Sequence, residues 1–136
     1  MGQIQVSWLE NLTFVGTDST NHSVVLSSAG DGVGMKPSEL LMVSLGSCTG
    51  YDVINIMTKK REQISGLKIT VSGEQLADPP WTFTKIHTHY QVTGKGLTEK
   101  SVADAVHLSK EKYCSVANTL AGSVEMTFDW EVIEAE

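Results

Sequence analysis

Positive charge is scarce in this sequence, and the shortage limits the partners that the chain can have. Ten Lys and Arg residues stand against sixteen Asp and Glu residues, which gives a formal net charge of -6 and a pI near 5.1. A surface that binds nucleic acid has to neutralise phosphates with basic side chains. The charge balance therefore argues against nucleic acid as a partner.

Long apolar runs and targeting signals are also missing. No stretch approaches the roughly 20 apolar residues that a membrane-spanning helix needs. No positively charged start leads into an apolar segment, as it does in a secretory signal peptide. We therefore expect a cytoplasmic protein that has no membrane partner.

Cysteine is nearly absent, since the chain contains only Cys48 and Cys114. Two such residues are too few for a secreted disulfide framework and too distant for a zinc knuckle, whereas cytosolic disulfides are usually catalytic or transient. His87 and His89 share one face of a predicted strand, but no third metal ligand accompanies them. We expect a solvated sheet face there, and neither a metal nor a cofactor.

The residues that are present fit one globular domain covering 1–136. Hydrophobic residues make up 40% and charged residues 19% of the chain, without a long charge block. A chain of this length can remove roughly 68% of its unfolded surface from water. Its core therefore needs neither disulfides nor a metal as scaffolding.

Hydrophobic periodicity predicts an α+β fold in the order βββ, long α, ββ, αα, β. Alternation of apolar and polar residues predicts a three-stranded meander at the start, a long hairpin in the middle and a final strand. The predicted strands lie at 4–8, 12–16, 22–26, 67–76, 83–92 and 123–132, and the predicted helices at 37–61, 98–112 and 115–120.

The first predicted helix is long and unusually apolar. It starts at Pro37, with Glu39 in the first turn, and it runs to the basic end at 58–61. Its apolar side chains occupy more than one stripe, so we expect it to lie enclosed between sheets or between subunits. Gly46 and Gly50 would let another backbone approach closely, or would permit a kink.

The residues around each cysteine leave two interpretations open. Each thiol could be a buried small hydrophobe, but the small residues flanking Cys48 leave room for a substrate. Asp52 lies one helical turn beyond Cys48, and its charge would raise the pKa of that thiol unless a cation outweighs it. Cys114 lies at the predicted start of a short helix, where the dipole favours a thiolate, so the residues alone predict the lower pKa for Cys114.

Two segments of the chain resemble the OsmC/Ohr family of osmotically induced and organic hydroperoxide resistance proteins. The first is PSELLMVSLGSC at 37–48, together with Tyr-Asp-Val at 51–53. The second is Tyr-Cys-Ser-Val at 113–116, followed by LAGSVE at 120–125. The spacing and the order of strands and helices extend this resemblance over nearly the whole chain.

The resemblance implies an intertwined homodimer, in which two chains build shared sheets around paired central helices and the active site lies at the subunit interface. It implies that Cys48 is the peroxidatic thiol and Cys114 the resolving thiol. In such chemistry a thiolate attacks the peroxide, and the resulting sulfenic acid condenses with the second thiol. A lipoyl-type or thioredoxin-like dithiol reductant would restore the pair.

Two departures from the family pattern concern the charged residues that support the thiol. The characterised peroxidases place an arginine from the amino-terminal region beside the thiolate, but this chain has no arginine before Arg61. Their glutamate directly follows the proline, whereas the acid here is Glu39, and nine residues of helix rotate about 900° to set it opposite Cys48. Both departures resemble the OsmC-like branch, which lacks an established substrate. A replacement cation would come from Arg61, Lys59 or Lys60 of the partner subunit.

Two functions follow from these residues. The leading hypothesis is a cysteine-dependent reductase of organic hydroperoxides that acts in oxidative stress defence. Cys48 and Cys114 are its catalytic residues, with Glu39, Arg61 and Asp52 in support, and the apolar surroundings of Cys48 favour an alkyl or lipid peroxide. The alternative is an OsmC-like binding or stress protein that holds a small apolar ligand in the interface pocket and has no peroxidase activity.

Overall fold

A computed structural model describes residues 2–136 and confirms the predicted α+β order. The elements are β1 (Gln5–Glu10), β2 (Thr13–Thr17), β3 (Ser23–Ser27), α1 (Pro37–Lys59), β4 (Gln63–Gln75), β5 (Phe83–Lys95), α2 (Glu99–Leu108), a π-helical turn (Ser109–Tyr113), α3 (Ser115–Leu120) and β6 (Glu125–Glu134). The chain divides into two compact units, one ending at Leu41 and the other covering Met42–Glu136. The assignment of 1–136 to one domain stays a prediction.

The first unit is the predicted antiparallel meander, in the strand order β1-β2-β3. Asn11 turns the chain between β1 and β2 with a φ of 48°, a left-handed conformation that asparagine tolerates better than most residues. After β3, the buried hydroxyl of Ser27 accepts hydrogen bonds from the backbone N–H groups of Val33 and Gly34. This side chain holds the end of the loop at 30–34, in which three of the five residues are glycines, beside the meander.

Helix α1 buries one stripe of side chains within the single chain. Its buried residues follow at intervals of four, and they are Leu45, Thr49, Val53 and Met57. Tyr51 and Ile54 point away from this stripe and remain 73% and 42% exposed. The expectation that α1 is covered on more than one stripe is therefore not met by one chain alone.

Helix α1 is also long and apolar enough to cross a membrane by length and composition, with a mean hydropathy of 1.3. The sequence-based expectation that no segment approaches such a span was therefore too strict. Core helices of soluble proteins meet the same criterion, and α1 holds Asp52 and two glycines in its central turns.

Two glycines allow α1 to pack tightly against strand β4. A Cβ atom at Gly50 would lie 3.2 Å from Cδ1 of Ile69, and one at Gly46 would lie 3.3 Å from Cγ2 of Val71. Both distances are shorter than an ordinary van der Waals contact. The glycines therefore make room for side chains of the strand, and not for another backbone as the sequence had indicated.

The sheet of the second unit has the order β4-β5-β6. Strands β4 and β5 form the predicted long antiparallel hairpin, whereas β6 joins β5 in parallel. Alternate residues of β5 are buried, namely Ile86, Thr88, Tyr90 and Val92. The sheet therefore has one apolar face, and its residues divide between two buried clusters, one around Val53 and Val92 and the other around Leu45 and Cys114.

The segment between β5 and β6 departs from the predicted helix at 98–112. The helix begins as predicted, because the side chain of Thr98 caps it by accepting the N–H of Ser101 at 3.1 Å. Its α-helical part ends at Leu108, and a π-helical turn follows. The backbone N–H of Cys114 closes that turn on the carbonyl of Ser109 at 2.8 Å. Such turns are rare and often lie at functional sites.

Candidate functional site

The structure brings Cys48 and Cys114 together from 66 positions apart in sequence. Cys48 lies in the middle of α1, and Cys114 is the residue that caps α3. Both are free thiols that belong to one packed cluster, and the Cys48 sulfur lies 3.8 Å from the hydroxyl of Ser115, the residue next to Cys114. Cys48 is partly exposed, whereas Cys114 is fully buried. This juxtaposition makes the pair the candidate functional site.

Hydrogen-bond donors lower the pKa of Cys48. Partial burial is the largest single influence and raises the pKa. The hydrogen-bond donors together outweigh it, so the pKa is lowered from 9.0. The donors are the N–H groups of Val116 and Ser115, the Ser115 hydroxyl and the Cys114 thiol. All are neutral groups, and most of them belong to the first turn of α3. The thiolate of Cys48 is therefore stabilised without the cation that the sequence had suggested was necessary.

Cys114 has the opposite electrostatic environment. Burial raises the pKa of its thiol to about 11, and the negative charges of Cys48 and Asp52 act in the same direction. The N–H of Ala117, 3.3 Å from the Cys114 sulfur, lowers the pKa only in part. The expectation that Cys114 has the lower pKa was wrong, because the helix start supplies more N–H donors to Cys48 and the core surrounds Cys114.

A chain of buried hydroxyl groups runs beside the two thiols. Thr49 Oγ1 lies 2.7 Å from both Tyr90 Oη and Ser109 Oγ, and Ser109 Oγ donates to Asp52 Oδ2 at 2.7 Å. Burial raises the pKa of Tyr90, so its hydroxyl keeps its proton. Sequence reasoning missed Thr49, Ser109 and Tyr90 as site residues. The available signal was a polar residue, Thr49, within the apolar stripe of α1.

The three residues predicted to support catalysis, Asp52, Arg61 and Glu39, differ in their contacts. Asp52 joins the hydroxyl chain, and its charge raises the pKa of Cys114. Arg61 follows the end of α1 at Lys59, which is about 16 Å along the helix axis from Cys48, so its position does not favour contact with the thiol of its own chain. Glu39 forms an ion pair with Lys36 at 3.4 Å in the first unit. The roles assigned to Glu39, Arg61 and Asp52 in catalysis stay predictions.

The two neighbouring histidines face a carboxylate on the outer side of the sheet. His87 Nε2 and His89 Nδ1 lie 2.9 and 2.7 Å from the same oxygen of Asp129 on β6. Hydrogen bonding to Asp129 raises the pKa of His89. Within residues 2–136 there is no group of three or more His, Cys, Asp or Glu side chains that could hold a metal ion.

An open groove of about 820 Å³ lies between α1 and β4. It is lined by Tyr51, Ile54 and Asn55 on the helix and by Ile64 and Leu67 on the strand, with small polar residues between them. Ser47, the residue before Cys48, is part of the lining, whereas Cys48 itself is not. The groove provides a mainly apolar surface on the helix that carries the partly exposed thiol.

The fold and the thiol pair define an α+β protein with two cysteines at one site. Residues 30–129 match the family described as OsmC-like protein, and the chain belongs to this family. It is 35% identical to Protein YhfA of Escherichia coli strain K12 over 133 residues, which cover 98% of this chain and 99% of that protein.

Solved structures show the same fold. A hypothetical protein from Aquifex aeolicus aligns with a TM-score of 0.91 and 32% identity, covering 100% of this chain and 98% of its own. The organic hydroperoxide resistance protein OhrB of Bacillus subtilis aligns with a TM-score of 0.63 and 16% identity, covering 96% of this chain and 98% of its own. At that identity OhrB shares the fold alone.

Proposed function

We propose that the protein is a cytoplasmic, thiol-dependent peroxidase that reduces organic hydroperoxides in the response to oxidative stress. One observation carries the proposal. Two thiols of one packed cluster have opposite pKa shifts, with the pKa of Cys48 lowered and that of Cys114 raised to about 11. A nucleophilic thiol has to be partly ionised and accessible to the substrate. A resolving thiol can remain protonated until the sulfenic acid has formed.

The proposed cycle has three balanced steps. The Cys48 thiolate attacks the hydroxyl oxygen of ROOH, the O–O bond breaks, and the alkoxide leaves as an alcohol after taking up a proton. Cys48 is then a sulfenic acid. The Cys114 sulfur attacks the Cys48 sulfur, and the sulfenic hydroxyl leaves as water with the Cys114 proton. A dithiol of the lipoyl or thioredoxin-like class then reduces the disulfide and becomes a disulfide itself.

An organic peroxide is the favoured substrate because Cys48 packs against a mainly apolar cluster that includes Val71 and Leu120. Helix α1 also carries an apolar groove, which Ile54 and Leu67 line. The name of the structural relative OhrB refers to organic hydroperoxides, which agrees with this choice. An alkyl or lipid chain would gain free energy by leaving water for such a surface.

A homodimer is part of the same proposal. The uncovered side of α1 presents Val43, Tyr51 and Ile54, which are 48%, 73% and 42% exposed. Exposed apolar surface of this extent on a central helix is typical of an interface. A second copy that covers α1 would close over the groove that Tyr51 and Ile54 line and turn it into an interface pocket, and Arg61 of the partner subunit would be the candidate cation at the thiol site. Equilibrium ultracentrifugation at micromolar concentration would detect a folded monomer, which would contradict the dimer.

The test of the peroxidase is consumption of an alkyl hydroperoxide with dihydrolipoamide or thioredoxin as reductant. Cys48→Ser should lower the rate by at least about 100-fold, because it removes the nucleophile. Without the dithiol reductant, Cys114→Ser should reduce one equivalent of peroxide and then stop as a sulfenic acid. Ser27→Ala, a change at a buried hydroxyl in the first unit, serves as the control. Equal rates for the parent and Cys48→Ser would exclude the proposed reaction.

The second candidate is an OsmC-like protein that binds a small apolar ligand and reduces no peroxide. The groove of about 820 Å³ favours it, since a cavity of that size accommodates an apolar small molecule. The neutral surroundings of Cys48 agree with this alternative as well. Fatty acids and alkyl alcohols would be the probes. Binding that is unchanged in Cys48→Ser, together with no peroxide consumption by the parent, would favour this function over the first.

A further inference from the structure

Ser109 connects the two helices that carry the thiols. Its side chain is fully buried and hydrogen-bonds to Thr49 and Asp52, which lie one and four residues beyond Cys48 on α1. Its backbone carbonyl accepts the N–H of Cys114 at 2.8 Å and so closes the π-helical turn. One residue therefore bonds to the helix of Cys48 through its side chain and to Cys114 through its backbone.

The hydrogen bonds of the hydroxyl chain have a single consistent direction when Asp52 is a carboxylate. Ser109 has one hydroxyl proton, and it donates this proton to Asp52. The bond between Thr49 and Ser109 is then donated by Thr49, and Tyr90 in turn donates to Thr49. Every proton in the chain is used once. A buried network that is fully satisfied holds its members in one arrangement.

We propose that Ser109 is a positioning residue that sets the Cys114 sulfur against Cys48, with Tyr90, Thr49 and Asp52 fixing its side chain. The inference rests on the proposed two-cysteine function. Disulfide formation requires the Cα atoms of the two cysteines to come within about 4.4–6.8 Å, with defined dihedral angles. The π-helical turn alone leaves Cys114 attached to α2, whereas the Ser109 side chain ties that turn to α1. Loss of the hydroxyl would lower the effective concentration of one thiol at the other.

The test measures the equilibrium between the protein and glutathione, without any peroxide. In this reaction the Cys48 and Cys114 thiols are oxidised to one disulfide while oxidised glutathione becomes two thiols. Ser109→Ala should lower the equilibrium constant for the protein disulfide by about 10-fold, which raises its potential by about 30 mV. Ser27→Ala is the matched control, since Ser27 is also a buried serine with several hydrogen bonds but lies in the first unit. It should stay within about twofold of the parent.

Thr49→Val provides a second variant that keeps the side-chain shape and removes the hydroxyl next to Ser109. It should also lower the equilibrium constant for the protein disulfide. If Ser109→Ala does not fold, Thr49→Val tests the positioning role in its place. A parent that forms the disulfide, with both variants equal to it or with Ser27→Ala shifted as much, would overturn the positioning role and leave the proposed function intact. A parent that forms no disulfide between Cys48 and Cys114 would overturn both.

Discussion

The thiol pair and the histidine pair are two polar clusters of the second unit in opposite surroundings. Cys48 and Cys114 lie against the core and receive hydrogen bonds from neutral donors. His87 and His89 lie on the outer face of the sheet, where both contact the charged carboxylate of Asp129. The first cluster combines burial with neutral partners, and the second combines exposure with a charged partner.

Burial, and not a neighbouring formal charge, produces the larger pKa shift in these two clusters. The pKa values of the two thiols shift in opposite directions, because burial dominates at Cys114 and hydrogen-bond donors dominate at Cys48. Opposite charges that face water are screened, and pairs of this kind contribute little to stability.

Leu45→Ala should have the largest effect, because it opens the core beside Cys114. Leu45 is 2% exposed and belongs to the same buried cluster as Cys114. Removing a leucine side chain from such a site lowers the free energy of unfolding by about 2–5 kcal/mol. Urea unfolding measures the loss. Leu76→Ala is the matched control, since Leu76 is 45% exposed and its truncation should stay within about 0.5 kcal/mol.

Alkylation should distinguish the two thiols in a single sample. The pKa of Cys48 is lowered and that of Cys114 is raised to about 11, so Cys48 has the larger thiolate fraction at pH 7. Iodoacetamide followed by peptide mass spectrometry should therefore modify Cys48 at least about 10-fold faster, since Cys114 is also fully buried. Comparable rates at both positions in folded protein would show that burial does not separate them.

Stability should fall in alkaline solution because of Cys114. Its folded pKa is raised from 9.0 to about 11, so its contribution is fully present below pH 9 and is lost as the pH rises through about 11. A shift of two units corresponds to about 2–3 kcal/mol. Cys114→Ala lacks this titration, and its unfolding free energy should fall less between pH 9 and 11. Parallel curves for the two proteins would contradict the raised pKa.

The smallest effect should come from the histidine pair. Hydrogen bonding to Asp129 raises the pKa of His89 above 6.5, so this contribution is present below about pH 6.5 and is lost as the pH rises through the folded value. NMR titration of His89 measures the shift. Asp129→Asn should lower the pKa of His89, whereas Glu125→Gln on the same strand should leave it unchanged. The two variants together test whether the pKa of His89 depends on direct contact with Asp129 or on the total negative charge of the strand.

Local pattern was enough to predict most of the fold. Period-two alternation marks β4 and β5 because one face of their sheet is buried and the other is solvated. Pro37 marks the start of α1 and Thr98 caps α2, and both act through neighbouring backbone groups. Features that depend on neighbouring residues can be predicted from the sequence. The parallel pairing of β6 with β5 was not, since it depends on which sheet edge remains open after the rest has folded.

The candidate site was only partly predictable for the same reason. The resemblance marked Cys48 and Cys114, but the order of their pKa values depends on burial and on N–H groups that another segment supplies. The hydrogen bond between Thr49 and Ser109 joins residues 60 apart in sequence. No local pattern encodes such a contact. A polar residue within a buried helical stripe is the one sequence signal that could direct attention to it.

The parallel pairing of β5 with β6 also sets an order of events as the chain folds. The hairpin of β4 and β5 closes over a short turn, whereas Lys85 of β5 pairs with Glu125 of β6, 40 positions away. Contacts between distant segments form late, because the long loop between them must be ordered first. Val124, just before β6, and Met126, near its start, pack against the cluster that contains Cys114. The burial that raises the pKa of Cys114 therefore depends in part on a strand whose pairing partner lies 40 positions away in the sequence.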